Sequence, residues 1–179
     1  MSTPTVLIRT DGWKQSSSLC ILKIGLIDHS ITKVLASCPN LYSFEFWTTG
    51  HKDSRIFTET HANLKRLIVN RLFLSHSNED SIDNYLSMVP KLEQLTINLI
   101  FWISDSIKLV EDHDWFASDI DRYLPMLHQF HCYVTINEFQ KISKSELGNF
   151  MNKLKEKFER VHNNRYQSKI VVRYRDELP

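Results

Sequence analysis

The stretch Met88-Val89-Pro90-Lys91-Leu92-Glu93-Gln94-Leu95-Thr96-Ile97 decides how this chain is read. Apolar residues stand at 92, 95 and 97, behind a proline that stops whatever helix precedes it. The same spacing recurs as Leu19-Leu22-Ile24, Leu41-Phe44-Phe46, Leu64-Leu67-Val69 and Leu127-Phe130-Cys132. The first residues of these blocks are 22, 23, 28 and 35 positions apart. Recurrence at such a period marks a solenoid, in which each strand-and-helix unit leans on the next because it cannot close a core alone.

The junctions repeat as well. Pro39 precedes Leu41, Pro90 precedes Leu92 and Pro125 precedes Leu127. Helices are expected ahead of them. One runs over Ser30–Ser37, with Ile31, Val34 and Leu35 on one side. Another is capped by Asp80 or Ser81, with Ile82, Tyr85, Leu86 and Val89 inward, and a third carries Ile120, Tyr123 and Leu124. The third unit is less regular: Arg55–His61 leads to Leu64 with no proline.

Before the first block, Thr5–Ile8 reads as a short strand, either a partial first repeat or an edge. The longest interval carries an insertion, Ser104–Phe116, read as a surface excursion. Ser143-Lys144-Ser145-Glu146 is a capping box. It opens an amphipathic helix with Leu147, Phe150, Met151, Leu154, Phe158 and Val161 inward and Lys153, Lys155, Lys157 and Arg160 outward. After an Asn163-Asn164 turn, Lys169–Tyr174 is expected as a final strand. This helix and strand would shield the open end of the stack.

Composition narrows the class. A chain of 179 residues fits one domain. A domain of that size buries roughly 70% of its unfolded surface. Its 22 basic and 21 acidic residues give a net charge of +1, which offers no general attraction to nucleic acid or to a charged membrane. Cys20, Cys38 and Cys132 are odd in number and far apart, so they are expected as reduced, buried thiols. The N-terminal Met1-Ser2-Thr3-Pro4-Thr5 shows no secretory pattern, and the longest apolar stretch, Leu99–Ile103, is too short to span a bilayer. A cytosolic or nuclear location is expected. With four glycines, the chain has no phosphate loop or dinucleotide fingerprint.

Few constellations point to chemistry. His128-x-x-His131-Cys132 invites a metal, but residues three apart on a strand face opposite ways. Glu111-Asp112-His113-Asp114 lacks the spacing of a calcium loop and reads as a solvated acidic stretch. Cys38 precedes a proline at a junction and reads as packing. No serine sits in a nucleophile elbow. No enzyme, cofactor or metal site is expected. The basic side of the Lys153–Arg165 stretch is interrupted by Glu156 and Glu159, so it reads as a solvated face rather than an RNA site.

The blocks and lead-ins Ala36-Ser37-Cys38-Pro39-Asn40-Leu41 and Met88-Val89-Pro90-Lys91-Leu92 resemble leucine-rich repeats, most closely the divergent repeats in the tails of F-box proteins. The resemblance covers Leu19 to Thr135. It implies an α/β solenoid with a parallel sheet on one face, helices and loops on the other, and about five to seven short irregular repeats. Residues 1–179 then form one leucine-rich-repeat domain: 1–18 a partial repeat or cap, 19–136 repeats, 137–179 a helix-and-strand cap. The asparagine or cysteine usual eight positions after the first leucine is replaced by Ile27, Thr49, Leu72, Ile100 and Thr135, so no regular asparagine ladder is expected. No F-box precedes Leu19 within this chain, so ubiquitin-ligase subunits are expected as partners only if one lies upstream.

The resemblance assigns binding to the open, concave strand face, and alternation along the strands names its side chains. They fall in three columns: Ile21, Ser43, Arg66, Gln94 and Gln129; Lys23, Glu45, Ile68, Thr96 and His131; Gly25, Trp47, Asn70, Asn98 and Tyr133. Trp47 and Tyr133 are aromatic anchors of the kind that dominate interfaces. The implied function is a non-catalytic protein–protein interaction module, like the substrate-recognition repeats of a ubiquitin-ligase adaptor. A scaffold without a ligase link, or RNA binding through the C-terminal helix, are the alternatives.

Overall fold

The computed structural model describes residues 15–27, 31–48, 60–73, 86–102, 118–137, 144–162 and 166–174. Among these residues six strands form one sheet: β1 (Ile21–Ile27), β2 (Ser43–Thr48), β3 (Arg66–Phe73), β4 (Gln94–Trp102), β5 (Gln129–Asn137) and β6 (Gln167–Tyr174). Their spatial order is their chain order, and every pairing is parallel. The fold is therefore α/β. Helices are α1 (Ile31–Ser37) and α2 (Lys144–His162), and residues 86–87 and 118–123 are also helical.

The five sequence blocks lie side by side in register. Leu22 pairs with Phe44, Phe44 with Leu67, Leu67 with Leu95, and Leu95 with Phe130. A second row runs Phe46, Val69, Ile97, Cys132 and Ile170. The leading residues Leu41, Leu64, Leu92 and Leu127 are buried behind them. Interior members of all three rows are almost wholly removed from water, whereas Leu22 and Ile170, on the outermost strands, are partly buried. A buried leucine or phenylalanine contributes about 1.5–3 kcal/mol by leaving water, so interior rows hold the stack.

The proline junctions fold alike. Leu41 donates its N–H to the Cys38 carbonyl, Leu92 to Val89 and Leu127 to Leu124, each at 3.0 Å. These are four-residue turns with proline second, where its fixed φ is already suited to the turn.

The third junction replaces proline with a side chain. Leu64 donates its N–H to Nδ1 of His61 at 3.1 Å, and His61 Nε2 lies 2.9 Å from the Cys38 carbonyl. With Nδ1 accepting, the ring proton sits on Nε2 and is donated to Cys38. The His61 N–H in turn reaches the Met88 carbonyl at 2.6 Å. One buried histidine thus ties three consecutive units together.

Two asparagines add to this. Asn40 Nδ2 donates to the Ser17 carbonyl at 2.7 Å and Asn63 Nδ2 to the Pro39 carbonyl at 2.9 Å. Each stands just before its block's first leucine and reaches the same place in the unit before. These two asparagines thus cross-link consecutive units at the turn before the strand.

At the far end Phe130 is enclosed by Phe158 and His162 of α2 and by Tyr166, with ring centroids 5.6, 5.2 and 5.9 Å away. His162 Nδ1 is hydrogen-bonded to the Tyr166 hydroxyl. Here the structure corrects the sequence reading. His162 is fully buried, whereas Val161, expected inward, is half-buried. Lys155 and Lys157, expected outward, are half-buried too. Phe158 is buried as expected and Met151 packs partly against the core. Among the described side chains the inward line is Met151, Phe158 and His162, set by the position of Phe130, while the side chains of Leu147, Phe150 and Leu154 lie outside the described residues. The final strand begins at Gln167, two residues before the expected start.

Cys20 is a second correction: it is exposed, just before β1, the outermost strand among the described residues, while Cys38 and Cys132 are buried and all three are free. The Thr5–Ile8 strand, the Ser104–Phe116 excursion with its acidic stretch, Ser143 of the capping box and the Asn163-Asn164 turn lie outside the described residues. So does most of the Arg55–His61 lead, and so do residues 80–85 of the second expected helix. Among the described residues no helix is long and apolar enough to cross a membrane.

The histidine junction can be tested. His61→Ala leaves the Leu64 N–H without its acceptor in a buried turn, which costs about 1–3 kcal/mol. Urea unfolding should show a lower midpoint with an unchanged slope. An unchanged midpoint would mean that the histidine does not brace the junction.

Candidate partner-binding face

Alternation sends the residues between the core rows to the opposite face of the sheet. The first column is observed as Ile21, Ser43, Arg66, Gln94 and Gln129, and β6 extends it with Gln167. The second is observed as Lys23, Glu45, Ile68, Thr96 and His131, extended by Lys169. In the third, Trp47 pairs with Asn70, and Asn98 with Tyr133 and on to Val171. This column is broken in two places: the β3–β4 pairing is irregular between Val69 and Leu72, so Asn70 and Asn98 are not register partners, and Gly25 also drops out. A register irregularity between Lys23 and Leu26 sets Leu26, not Gly25, opposite Trp47.

A run of polar contacts crosses four strands on this face. Lys23 Nζ lies 2.9 Å from Glu45 Oε1 and 5.3 Å from the centre of the Trp47 ring. Asn70 Nδ2 donates to the same Glu45 oxygen at 3.2 Å, and Asn98 Nδ2 donates to Asn70 Oδ1. Asn70 is only 8% exposed, so its amide serves the sheet itself as the bridge between Glu45 and Asn98. Trp47, Ile68, Gln94, Thr96, Asn98, Gln129, His131 and Tyr133 are half-buried, and Lys23 and Arg66 are exposed. Gln129 Nε2 and His131 Nε2 are 3.3 Å apart along β5.

A further column lies just before the strands, and reading residues singly misses it. Lys65 Nζ is 2.7 Å from Glu93 Oε1, and His128 Nε2 is 3.7 Å from Glu93 Oε2. The Lys65 hydrogen bond, followed by the charges of Lys65 and His128, holds the Glu93 carboxyl below its ordinary value. The signal is the register: each of these residues stands two before the middle apolar position of its block.

His128 and His131 do not converge. His128 turns to Glu93, His131 to Gln129, and Cys132 lies in the core, where burial pushes its thiol up to about 12. Burial also raises the Cys38 thiol. Among the described residues no group of three His, Cys, Asp or Glu side chains could hold a metal ion. On α2, Lys153 and Arg160 are exposed beside the exposed Glu156 and Glu159, so the exposed helix surface carries both signs.

Compared with protein-family models, with curated proteins and with solved structures, the chain matches none of them.

The Glu93 site predicts a pH effect. A carboxyl depressed in the folded state adds stability above its unfolded value, near 4.5, and loses it as pH falls through the folded value. Glu93→Gln should therefore unfold more easily than the unaltered chain at neutral pH, and the gap should close in acid. A gap of equal size at both pH values would show that the carboxylate charge is not responsible.

Proposed function

We propose that this chain is a non-catalytic protein-interaction module whose partner docks on the outward face of the sheet. On this reading the sheet and its returns are a leucine-rich-repeat solenoid, similar to the substrate-recognition repeats of F-box ubiquitin-ligase adaptors. The chain works in the cytosol or nucleus, and a ligase role depends on an F-box upstream. The carrying observation is the outward sheet face on which half-buried Trp47 and Tyr133 flank the hydrogen-bonded Asn70–Asn98 amide pair. Aromatic side chains that keep one side open can bury more area against a partner at little entropic cost. The cross-strand hydrogen bonds fix this surface before binding, which lowers the cost of ordering it.

A non-catalytic role is supported by how the polar groups are used. Glu45 is shared between Lys23 and Asn70, and Glu93 between Lys65 and His128. The buried thiols are held in the neutral form. These groups supply neither a free base nor a ready nucleophile.

The test replaces Trp47 and Tyr133 by alanine together and leaves Asn70 in place, because Asn70 is part of the sheet. Interface anchors of this kind contribute about 2 kcal/mol each, roughly 30-fold in Kd. Proteins captured by the unaltered chain should be lost by the double variant, with circular dichroism unchanged. Equal capture by both would rule out this face.

A further inference from the structure

Resting on that reading, we propose that the partner segment seated on this face is acidic and lies across β3 to β6. The charges of the face are unequal. Among the described residues of the three outward strand columns and their continuation on β6, the cations are Lys23, Arg66, Lys169 and Arg173 and the one carboxylate is Glu45; in the column just before the strands, Glu93 is already held by Lys65 and His128. Glu45 is already held by Lys23 and Asn70. Arg66, Lys169 and Arg173 are exposed. No ion-pair partner for them occurs among the described residues.

The register places these cations around a neutral centre. Lys169 stands beside His131 and Arg173 beside Thr135, four residues apart on β6, or about 13 Å. Arg66 is three strands away, about 14 Å across the sheet, in the row that continues through Gln94 and Gln129 to Gln167. Between them lie glutamine amides, Thr96 and the Tyr133 ring. An extended peptide advances about 3.3 Å per residue, so roughly five residues join a carboxylate at Arg66 to one at Lys169. The guanidinium of Arg173 can meet a further carboxylate through two parallel hydrogen bonds. The middle of the segment would meet amide donors and acceptors and one aromatic ring.

A protein segment fits better than a nucleic acid. The cations are widely spaced, whereas the phosphates of a strand follow one another closely and are tracked by a continuous basic groove. The chain's near-neutral balance supplies no such groove.

The experiment titrates the full chain into three labelled probes of equal length: an alternating glutamate–serine peptide, the matching lysine–serine peptide and an oligouridine. Fluorescence anisotropy is read at low and at physiological salt. The glutamate peptide should bind, weaken as salt rises, and bind about tenfold less tightly to the Lys169→Gln/Arg173→Gln variant. Both positions are exposed, and an unchanged melting temperature certifies the variant's fold; Arg66→Gln gives an independent second reading. Absence of binding, equal binding by the variants, or tighter binding of the lysine peptide or the oligouridine would overturn the proposal. These outcomes are separable from failure of the docking reading. Charge variants that bind normally while Trp47→Ala/Tyr133→Ala loses its captured proteins would remove only the acidic assignment.

Discussion

The register of the sheet is held by one repeated hydrogen-bond device, and the rest of the molecule depends on it. The carbonyl of Cys20 accepts the N–H groups of both Tyr42 and Ser43. Tyr42 does the same for Lys65 and Arg66, Lys65 for Glu93 and Gln94, and Glu93 for His128 and Gln129. His128 passes the pattern to Gln167 at 2.9 Å. Each strand is thereby started at the height of its neighbour. A slip of one residue would turn Phe44, Leu67, Leu95 and Phe130 toward water and the amides toward the core. The backbone sets the height, and the apolar rows make any other height costly.

This constraint joins the core to the outward face. Because Phe44 is locked beside Leu67 and Leu67 beside Leu95, the strands bring Glu45, Asn70 and Asn98 together from distant sequence, and the Asn98–Asn70 side-chain bond spans the irregularity that follows Val69. A surface ion pair such as Lys23–Glu45 contributes little to stability by itself. Its effect is to hold the rim of the face in one arrangement. The two ends of the sheet are treated differently. At β1, Leu22 is partly buried and Ile21 is 71% exposed. At β6, α2 folds back so that Phe158, His162 and Tyr166 enclose Phe130.

The legible part was the part governed by near neighbours. The apolar blocks, their parallel order and the three proline turns follow from spacing and from the geometry of proline. Two outward columns follow from strand alternation alone. What was not legible depends on residues distant in sequence. His61 does the work of a proline turn only because Cys38 and Met88 are delivered beside it. His162 is buried because Phe130 and Tyr166 surround it; helical spacing by itself favoured Val161. Asn40 and Asn63 look like ordinary turn residues until the preceding unit offers its carbonyls. The offset that moves Leu26 into the place of Gly25 arises in the pairing of β1 with β2 and leaves no mark in the apolar pattern.

The most direct test of this account is a nuclear Overhauser spectrum of the labelled protein, read along the core rows. The account predicts side-chain cross-peaks in the order Phe44–Leu67, Leu67–Leu95 and Leu95–Phe130, with Phe46–Val69, Val69–Ile97 and Ile97–Cys132 beside them. Cross-peaks that skip a strand in chain order, or that join the start of one strand to the end of its neighbour, would contradict it.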